Sequence, residues 1–237
     1  KRKIDWREQQ QLVKAEFHFD VMTRTAACEI PYGVMERPTH KNTSWERAQF
    51  EMCAHRFVDL SEPGFGVALL NDGRYGHSIE DGFVGLTLLT SGIFPFPDAD
   101  KGVHELIYAL MPHMGDWREA NVVHEAGMLN EKPILSLNKP VLLTEEKSSA
   151  RYTMCEVSSP NVIVTSVKRA EDESGLIVRM YESNGIRTNV EWNVEGLCPK
   201  SIYECDMMEQ KERSIIFDGH RAKFEIRPFE IKTFLLV

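Results

Sequence analysis

The stretch that decides the fold is residues 81–89, with the sequence DGFVGLTLL. Asp-Gly suits a two-residue turn whose central residues both have positive φ, a frequent connection between antiparallel strands. The apolar run behind it, which includes Val84 and Thr87, is typical of a β-strand. Together the two features predict a β-hairpin, and the same combination of turn and apolar run recurs along the chain.

Three more turn dipeptides lie between strand-like runs: Asp72-Gly73, Asn184-Gly185 and Asp218-Gly219. The last third of the chain is filled by strand-like runs at residues 162–167, 176–181, 190–194, 201–205 and 231–237. Short strands at this spacing, with turns between them, predict an all-β antiparallel sandwich.

Helix signals are confined to two places, residues 4–17 and residues 45–55. Each stretch fits an amphipathic helix, although Phe50, Met52 and Ala54 also alternate as a strand would. The second stretch is therefore open to either interpretation.

Composition narrows the class of protein. The chain has 237 residues, of which 42% are hydrophobic and 27% charged, which is enough for one large or two modest globular domains. The net charge of −8 and the absence of a basic stripe argue against nucleic-acid and anionic-membrane partners. No apolar run approaches the roughly 20 residues of a membrane helix, so no membrane association is expected.

The five cysteines are odd in number and form no CxxC pair. Free, buried thiols in a reducing cytoplasm are the expectation, in preference to a disulfide framework. A polar stretch at residues 143–151 is the best candidate boundary between two β domains, residues 1–143 and 152–237.

One cluster of residues has the chemistry of a metal site. Asp98, Asp100 and His104 place two carboxylates and an imidazole close together, and zinc or another divalent ion accepts such ligands. The alternative is a loop whose Asp residues cap turns and whose His begins the next strand. The spacing matches no specific metal motif, so the sequence predicts no metal in this chain and keeps these three residues as weak candidates.

Two further polar clusters are candidate ligand contacts. In one, His113 is suited to hydrogen-bond a sugar and Trp117 to stack on it; the alternative is a strand-end turn with a half-buried Trp. In the other, Asp72 and Tyr75 lie between two glycines, in a hairpin tip that either touches a ligand or is only a turn. No serine elbow, phosphate-binding loop or dinucleotide fingerprint is present.

Several motifs, in order along the chain, resemble the C-terminal region of family 38 α-mannosidases, in particular the bacterial and cytosolic branch. They are residues 36–40 (ERPTH), 45–46 (WE), 50–51 (FE), 55–61 (HRFVDLS), 66–72 (GVALLND), 75–76 (YG), 97–105 (PDADKGVHE), 108–110 (YAL), 113 (H), 176–182 (LIVRMYE) and 228–233 (PFEIKT). The similarity extends from about Ile4 to Val237.

The resemblance implies a galactose-mutarotase-like supersandwich portion that lacks its first strands, followed by a smaller antiparallel β-sandwich. It also implies that the Asp nucleophile and the zinc ligands belong to an upstream barrel, because neither block has a match here. We therefore expect no catalytic residue and no cofactor in this chain, and no activity from the isolated fragment. The implied partners are the rest of the α-mannosidase chain and a mannoside or oligosaccharide substrate.

In related enzymes, loops of the β domains approach the substrate. The resemblance places His113 loosely where some relatives have a basic residue, and Tyr75 and Asp72 are weaker substrate-side candidates on the same logic. A free-standing carbohydrate-binding module is the alternative, with Trp117 and Trp192 as candidate exposed stacking residues; burial in the core is the other interpretation of each ring. A structural domain that forms a homo-oligomer through unpaired sheet edges is a third hypothesis.

Overall fold

A computed structural model of the protein describes residues 1–134 and 153–237. Within these residues the chain forms nineteen strands and two α-helices, so the prediction of an all-β fold is confirmed. The chain divides into two compact units, Lys1–Lys132 and Pro133–Val237. The predicted boundary at residues 143–151 lies outside the described residues. In the described part, neither helix is long and apolar enough to cross a membrane.

The first unit contains β1 to β11, α1 and α2. Their bounds are β1 (Arg2–Trp6), β2 (Val13–His18), β3 (Thr25–Ile30), β4 (Gly33–Pro38), α1 (Ser44–Arg47), β5 (Met52–Cys53), β6 (Phe57–Glu62), β7 (Phe65–Asn71), β8 (Gly76–Glu80), β9 (Phe83–Leu89), β10 (Gly102–Leu106), β11 (Tyr108–Met114) and α2 (Val122–Asn130). All strand pairs are antiparallel.

Two sheets supply the core of this unit. A five-stranded sheet has the order β11-β7-β6-β3-β4 and a four-stranded sheet has the order β2-β9-β8-β5, while β1 pairs with β10. Alternate residues of both sheets share one apolar cluster, with Leu60 and Leu69 from the first and Leu86 from the second, all fully buried. Each such side chain contributes about 1.5–3 kcal/mol by burial.

The second face of the five-stranded sheet is covered by α2, which contacts β6 and β7. The helix buries Val122, Val123 and Ala126. Since side chains alternate along a strand, Phe57 and Asp59 of β6 lie on the opposite face from Val58 and Leu60, which belong to the core. This second face is where the candidate site forms.

The second unit is a β-sandwich of two sheets. Its strands are β12 (Glu156–Val157), β13 (Val162–Arg169), β14 (Leu176–Glu182), β15 (Thr188–Asn193), β16 (Ile202–Cys205), β17 (Lys211–Ile215), β18 (Arg221–Ile226) and β19 (Ile231–Leu236). The sheets have the orders β12-β15-β18 and β13-β14-β19-β16-β17. Trp192, Phe224 and Phe234 pack together at its centre. The five strand-like runs predicted in the last third correspond to β13, β14, β15, β16 and β19, so those predictions are confirmed.

Only one of the four predicted hairpin turns joins two strands that pair over their length. Asp81 and Gly82 have φ of 42° and 80° and connect β8 to β9. Asp72-Gly73 and Asn184-Gly185 instead lead from one sheet into another, and Asp218-Gly219 is followed by a single bridge, Phe217 to Ala222. The dipeptide favours a turn but does not determine which strand pairs next, so the hairpin predictions at Asp72-Gly73 and Asn184-Gly185 are wrong. The prediction at Asp218-Gly219 is confirmed only for the one bridge that closes the turn.

The amphipathic helix expected at residues 4–17 is wrong, and residues 45–55, which were open to either interpretation, hold a turn of helix and a short strand. Residues 4–17 are divided between β1 and β2, which pair with β10 and β9. Residues 45–55 contain the one-turn helix α1, which ends at Arg47, and the short strand β5. Thr43 and Glu46 form a capping box that starts α1. Pairing with strands distant in sequence overrides the local periodicity of both stretches.

Candidate functional site

The candidate site is centred on His113, near the end of β11. Its imidazole is almost fully buried, and its Nε2 lies 2.7 Å from Oδ2 of Asp59, a residue that is only 1% exposed. The two residues belong to strands that are not neighbours, because β7 lies between β11 and β6. The imidazole therefore spans the intervening strand to reach the carboxylate.

Gly66 of β7 makes this contact possible. It pairs with His113 on one side and with Ser61 on the other. A Cβ at this position would clash with Cε1 of His113 and would lie 2.5 Å from Oγ of Ser61. Because glycine has no side chain, it leaves the space that the imidazole occupies when it reaches Asp59.

The second carboxylate oxygen of Asp59 accepts a short hydrogen bond from Oγ of Ser61. Burial raises the pKa of the Asp59 carboxyl, and the bonds from Ser61 and His113 act in the opposite direction. Ser61 and His113 each bond to Asp59, so the serine points at the acid and not at a base. The bond between His113 and Asp59 links β11 to β6 across β7. Ser61 does not have the geometry of an activated nucleophile.

A small polar cleft of about 150 Å³ opens beside this cluster. Asp59 and Ser61 line it from β6, and Asp116, Trp117 and Arg118 line it from the loop after β11. The Arg118 guanidinium lies 4.3 Å from the centre of the Trp117 ring and donates to Asp116 at 3.0 Å. Arg118 and the buried Asp59 therefore line the same cleft.

Sequence reasoning placed His113 in this site but gave no role to Asp59, Ser61 or Arg118. A pattern that indicates Asp59 and Ser61 is present on β6, where these two polar residues alternate with the core residues Val58 and Leu60. Two polar residues on one face of a buried strand indicate a polar partner on the same face. Which strand supplies that partner depends on the sheet order.

The other two substrate-side candidates lie elsewhere. Asp72 and Tyr75 follow β7 at the end where Asn71 pairs with Tyr108, five residues along β11 from His113. That separation is roughly 16 Å along the strand. The structure therefore does not bring His113 together with Asp72 and Tyr75.

Asp72 and Tyr75 themselves have different environments. Oδ1 of Asp72 accepts a hydrogen bond from the backbone N–H of Ile107 at 3.1 Å, so this carboxylate holds the connection from β10 to β11. Tyr75 is 53% exposed, and its ring lies 4.9 Å from the imidazole of His55. Tyr75 and Asp72 are both exposed, whereas His113 is buried, and the Asp72 carboxylate is engaged with the backbone of Ile107.

The weak metal candidates have other partners. Asp100 accepts from the backbone N–H groups of Thr90 at 2.8 Å and Ser91 at 3.0 Å, and these bonds lower the pKa of its carboxyl. Asp98 is paired with Lys101, and Nε2 of His104 lies 2.7 Å from the backbone oxygen of Asp100. In the described ranges, no three His, Cys, Asp or Glu side chains are grouped to hold a metal ion. The residues present do not fit a zinc site.

The two tryptophans proposed as exposed stacking residues are buried. Trp117 is 4% exposed and packs beside Phe57, and Trp192 is fully buried in the core of the second unit. The prediction of an exposed stacking surface at these positions is wrong, since both rings are used in packing. The five cysteines are all free, as predicted, but only Cys28 and Cys205 are buried, so the expectation of buried thiols is wrong for the other three.

A wider groove of about 770 Å³ lies in the second unit, lined by residues of β17 and β18. Five of its charged side chains pair with one another. Glu204 accepts from Arg213 at 2.6 Å and from the buried Lys232 at 2.6 Å, and Glu230 accepts from Arg227 at 2.9 Å. These charges are neutralised within the groove.

Two family models match the chain in sequence order. The C-terminal domain of glycosyl hydrolases family 38 matches residues 1–98, and the C-terminal β-sandwich domain of the same family matches residues 161–234. This chain belongs to glycosyl hydrolase family 38. It corresponds to the C-terminal region of that family, as the motifs predicted.

Relatives of this family 38 chain are much longer than it is. Alpha-mannosidase 2C1 of Mus musculus is 38% identical over 239 residues, and alpha-mannosidase G of Dictyostelium discoideum is 37% identical over 237 residues. Each match covers 99% of this chain and 22% of the relative. The chain therefore spans about a fifth of the length of these proteins.

A solved structure shares the fold. The crystal structure of an alpha-mannosidase from Enterococcus faecalis V583 superposes with a TM-score of 0.78 at 19% identity. The superposition covers 99% of this chain and 27% of the other. Both units of the family 38 chain thus have counterparts within one longer protein.

Proposed function

We propose that this chain is the non-catalytic C-terminal β region of an α-mannosidase, a glycosidase that releases terminal α-D-mannosyl residues. The observation that carries the proposal is the match over 99% of the chain to proteins named alpha-mannosidase. The two family models, which match in order, give it independent support. In this role the region completes the fold and supports a catalytic region elsewhere in the polypeptide.

The nucleophile and the divalent metal, expected to be zinc, are assigned to that other region. The metal would supply Lewis-acid chemistry where it is bound, and Asp98, Asp100 and His104 of this chain are engaged by other partners. Mannose metabolism in the cytoplasm is part of the proposal, and the five free thiols support that location.

Tyr75 is the side chain that we propose to contact a mannoside or oligosaccharide. Its ring is exposed and supported by His55, which fits a contact with a sugar ring. His113 and Asp72 are proposed to act only through the loops that they hold in place. A homo-oligomer remains part of the proposal, supported by edge strands such as β17.

The test is hydrolysis of a chromogenic α-mannoside by the full-length protein and by the 237-residue chain, each with added zinc and with a chelator. We expect the full-length protein to be active, a chelator to abolish that activity, and the 237-residue chain to be inactive. Hydrolysis by the 237-residue chain would contradict the non-catalytic role. A zinc-loaded full-length protein that leaves α-mannosides intact would overturn the α-mannosidase assignment.

A further inference from the structure

The loop between β9 and β10 exposes an unusual amount of apolar surface. Residues 92–97, with the sequence GIFPFP, are here called the phenylalanine loop. Phe94 is 91% exposed, Phe96 is 61% exposed and Ile93 is 44% exposed. Single exposed apolar side chains are ordinary on a protein surface, but three within four residues mark an interaction site.

The phenylalanine loop is held in a defined position at both ends. At its start, Asp100 accepts hydrogen bonds from the backbone of Thr90 and Ser91. At its end, the side-chain amide of Gln9 provides the anchor: its Nε2 donates to the backbone oxygen of Pro97 at 2.9 Å. The two rings are therefore presented on a fixed support, which lowers the entropy that docking would cost.

We propose that the phenylalanine loop is an intramolecular anchor that seats Phe94 and Phe96 in an apolar pocket on another part of the longer polypeptide. This inference rests on the proposed function, in which these residues are a fifth of an α-mannosidase. Aromatic side chains on a rigid support are the typical energetic centre of a protein interface.

The size of the patch favours an intramolecular partner over a second copy. A stable interface between separate proteins buries roughly 1,200–2,000 Å². Two phenyl groups and an isoleucine supply much less. Within one polypeptide the effective concentration of the two surfaces is high, so a small patch suffices.

Charge disfavours a lipid partner. The chain carries a net charge of −8, and the one acid directly after the phenylalanine loop, Asp98, is balanced by Lys101, so the loop has no local excess of positive charge there. Anionic membrane surfaces attract basic segments and repel a protein of this charge. A protein pocket in the same polypeptide is the partner that agrees with both the area and the charge.

The test is hydroxyl-radical footprinting of the full-length protein and of the 237-residue chain at equal radical dose. In the 237-residue chain we expect Phe94 and Phe96 to be oxidised at the rate of open side chains. In the full-length protein we expect both rates to fall about tenfold or more. Equal rates in the two samples would overturn the proposal.

A pair of variants supplies a second measurement. Phe94→Ser combined with Phe96→Ser is expected to leave the Tm of the 237-residue chain unchanged and to lower that of the full-length protein by about 3 °C or more. Ile216→Ser, at a 90% exposed position in the second unit, is the matched control and is expected to change neither Tm. A loop variant that leaves the full-length Tm unchanged would count against the anchor.

Other occupants give distinct results. Protection of Phe94 in the 237-residue chain that rises with protein concentration would replace the anchor by a contact between copies. Protection that requires phosphatidylserine vesicles would replace it by a lipid contact. Footprinting does not depend on enzymatic activity. A full-length protein that fails to cleave α-mannosides but protects Phe94 would therefore contradict the proposed function and still support the anchor.

Discussion

At the scale of the residue, Gly66 decides whether His113 reaches Asp59. We expect Gly66→Ala to lower the free energy of unfolding by about 2–4 kcal/mol, because the new methyl group displaces the imidazole and leaves a buried carboxylate without one of its donors. Urea denaturation of the 237-residue chain measures this change.

Gly127, inside α2, is the matched control for that experiment. The space around it is open, with the nearest atom, Nη1 of Arg56, at 3.6 Å. We expect Gly127→Ala to raise the free energy of unfolding by about 0.5–1 kcal/mol, because alanine favours the helix. A Gly66→Ala chain as stable as the wild type would mean that His113 does not depend on this opening.

His77 gives the protein a pH dependence of its own. It is fully buried on β8, and burial lowers its pKa from 6.5 to about 4. The unfolded chain takes up a proton at this side chain near pH 6.5, but the folded chain does so only near pH 4. The free energy of unfolding is therefore unaffected by protonation of His77 above pH 6.5. It decreases as the pH falls from 6.5 to 4, by about 3 kcal/mol in total.

His77→Gln removes this titration, because glutamine stays neutral throughout. We expect the variant to show a flatter dependence of unfolding free energy on pH between 6.5 and 4, as followed by urea titrations at several pH values. If wild type and variant lose stability in parallel across that window, proton uptake by His77 is not the cause.

At the scale of the element, the two Asp-Gly turns at Gly82 and Gly219 differ in what surrounds them. Both glycines have positive φ, of 80° and 96°. A Cβ at Gly82 would lie 2.5 Å from the backbone oxygen of Phe19, while one at Gly219 would meet nothing within 4 Å. The true hairpin is therefore packed against backbone, and the turn before β18 is open.

We expect Gly82→Ala to cost about 3 kcal/mol or more, because backbone strain and a clash with backbone combine. Gly219→Ala should cost only the strain, about 1–2 kcal/mol. Thermal and urea unfolding of the two variants measure the difference. Equal losses would show that the contact with Phe19 adds nothing.

These elements also show how far sequence reasoning reaches. The turn at Asp81-Gly82 and the strands of the last third were predictable, because turn chemistry and alternation are local. The helix at residues 4–17 was predicted wrongly, because the pairing of β1 with β10 outweighs local periodicity. His113 was picked out, but its bond to Asp59 depends on the order of three strands that local patterns do not encode.

At the scale of the whole molecule, the second unit has its own core, with Trp192 fully buried at its centre. We expect a fragment of residues 153–237 to fold alone, with blue-shifted Trp192 emission and one cooperative urea transition. Val190→Asp, which places a charge in that core, should abolish the transition. Red-shifted emission from the unmodified fragment would show that the core needs the rest of the chain.

The pairing of β1 with β10 also means that β1 must wait for its partner during translation. Arg2 pairs with Leu106, so β1 leaves the ribosome about a hundred residues before its partner. At about 5–20 residues per second, that is a wait of about 5 to 20 s. The nascent first unit spends this time with an unpaired strand, which makes it a natural client for chaperones. By contrast, β13 is joined to β14 by a single turn, so it can pair almost as soon as it is synthesised.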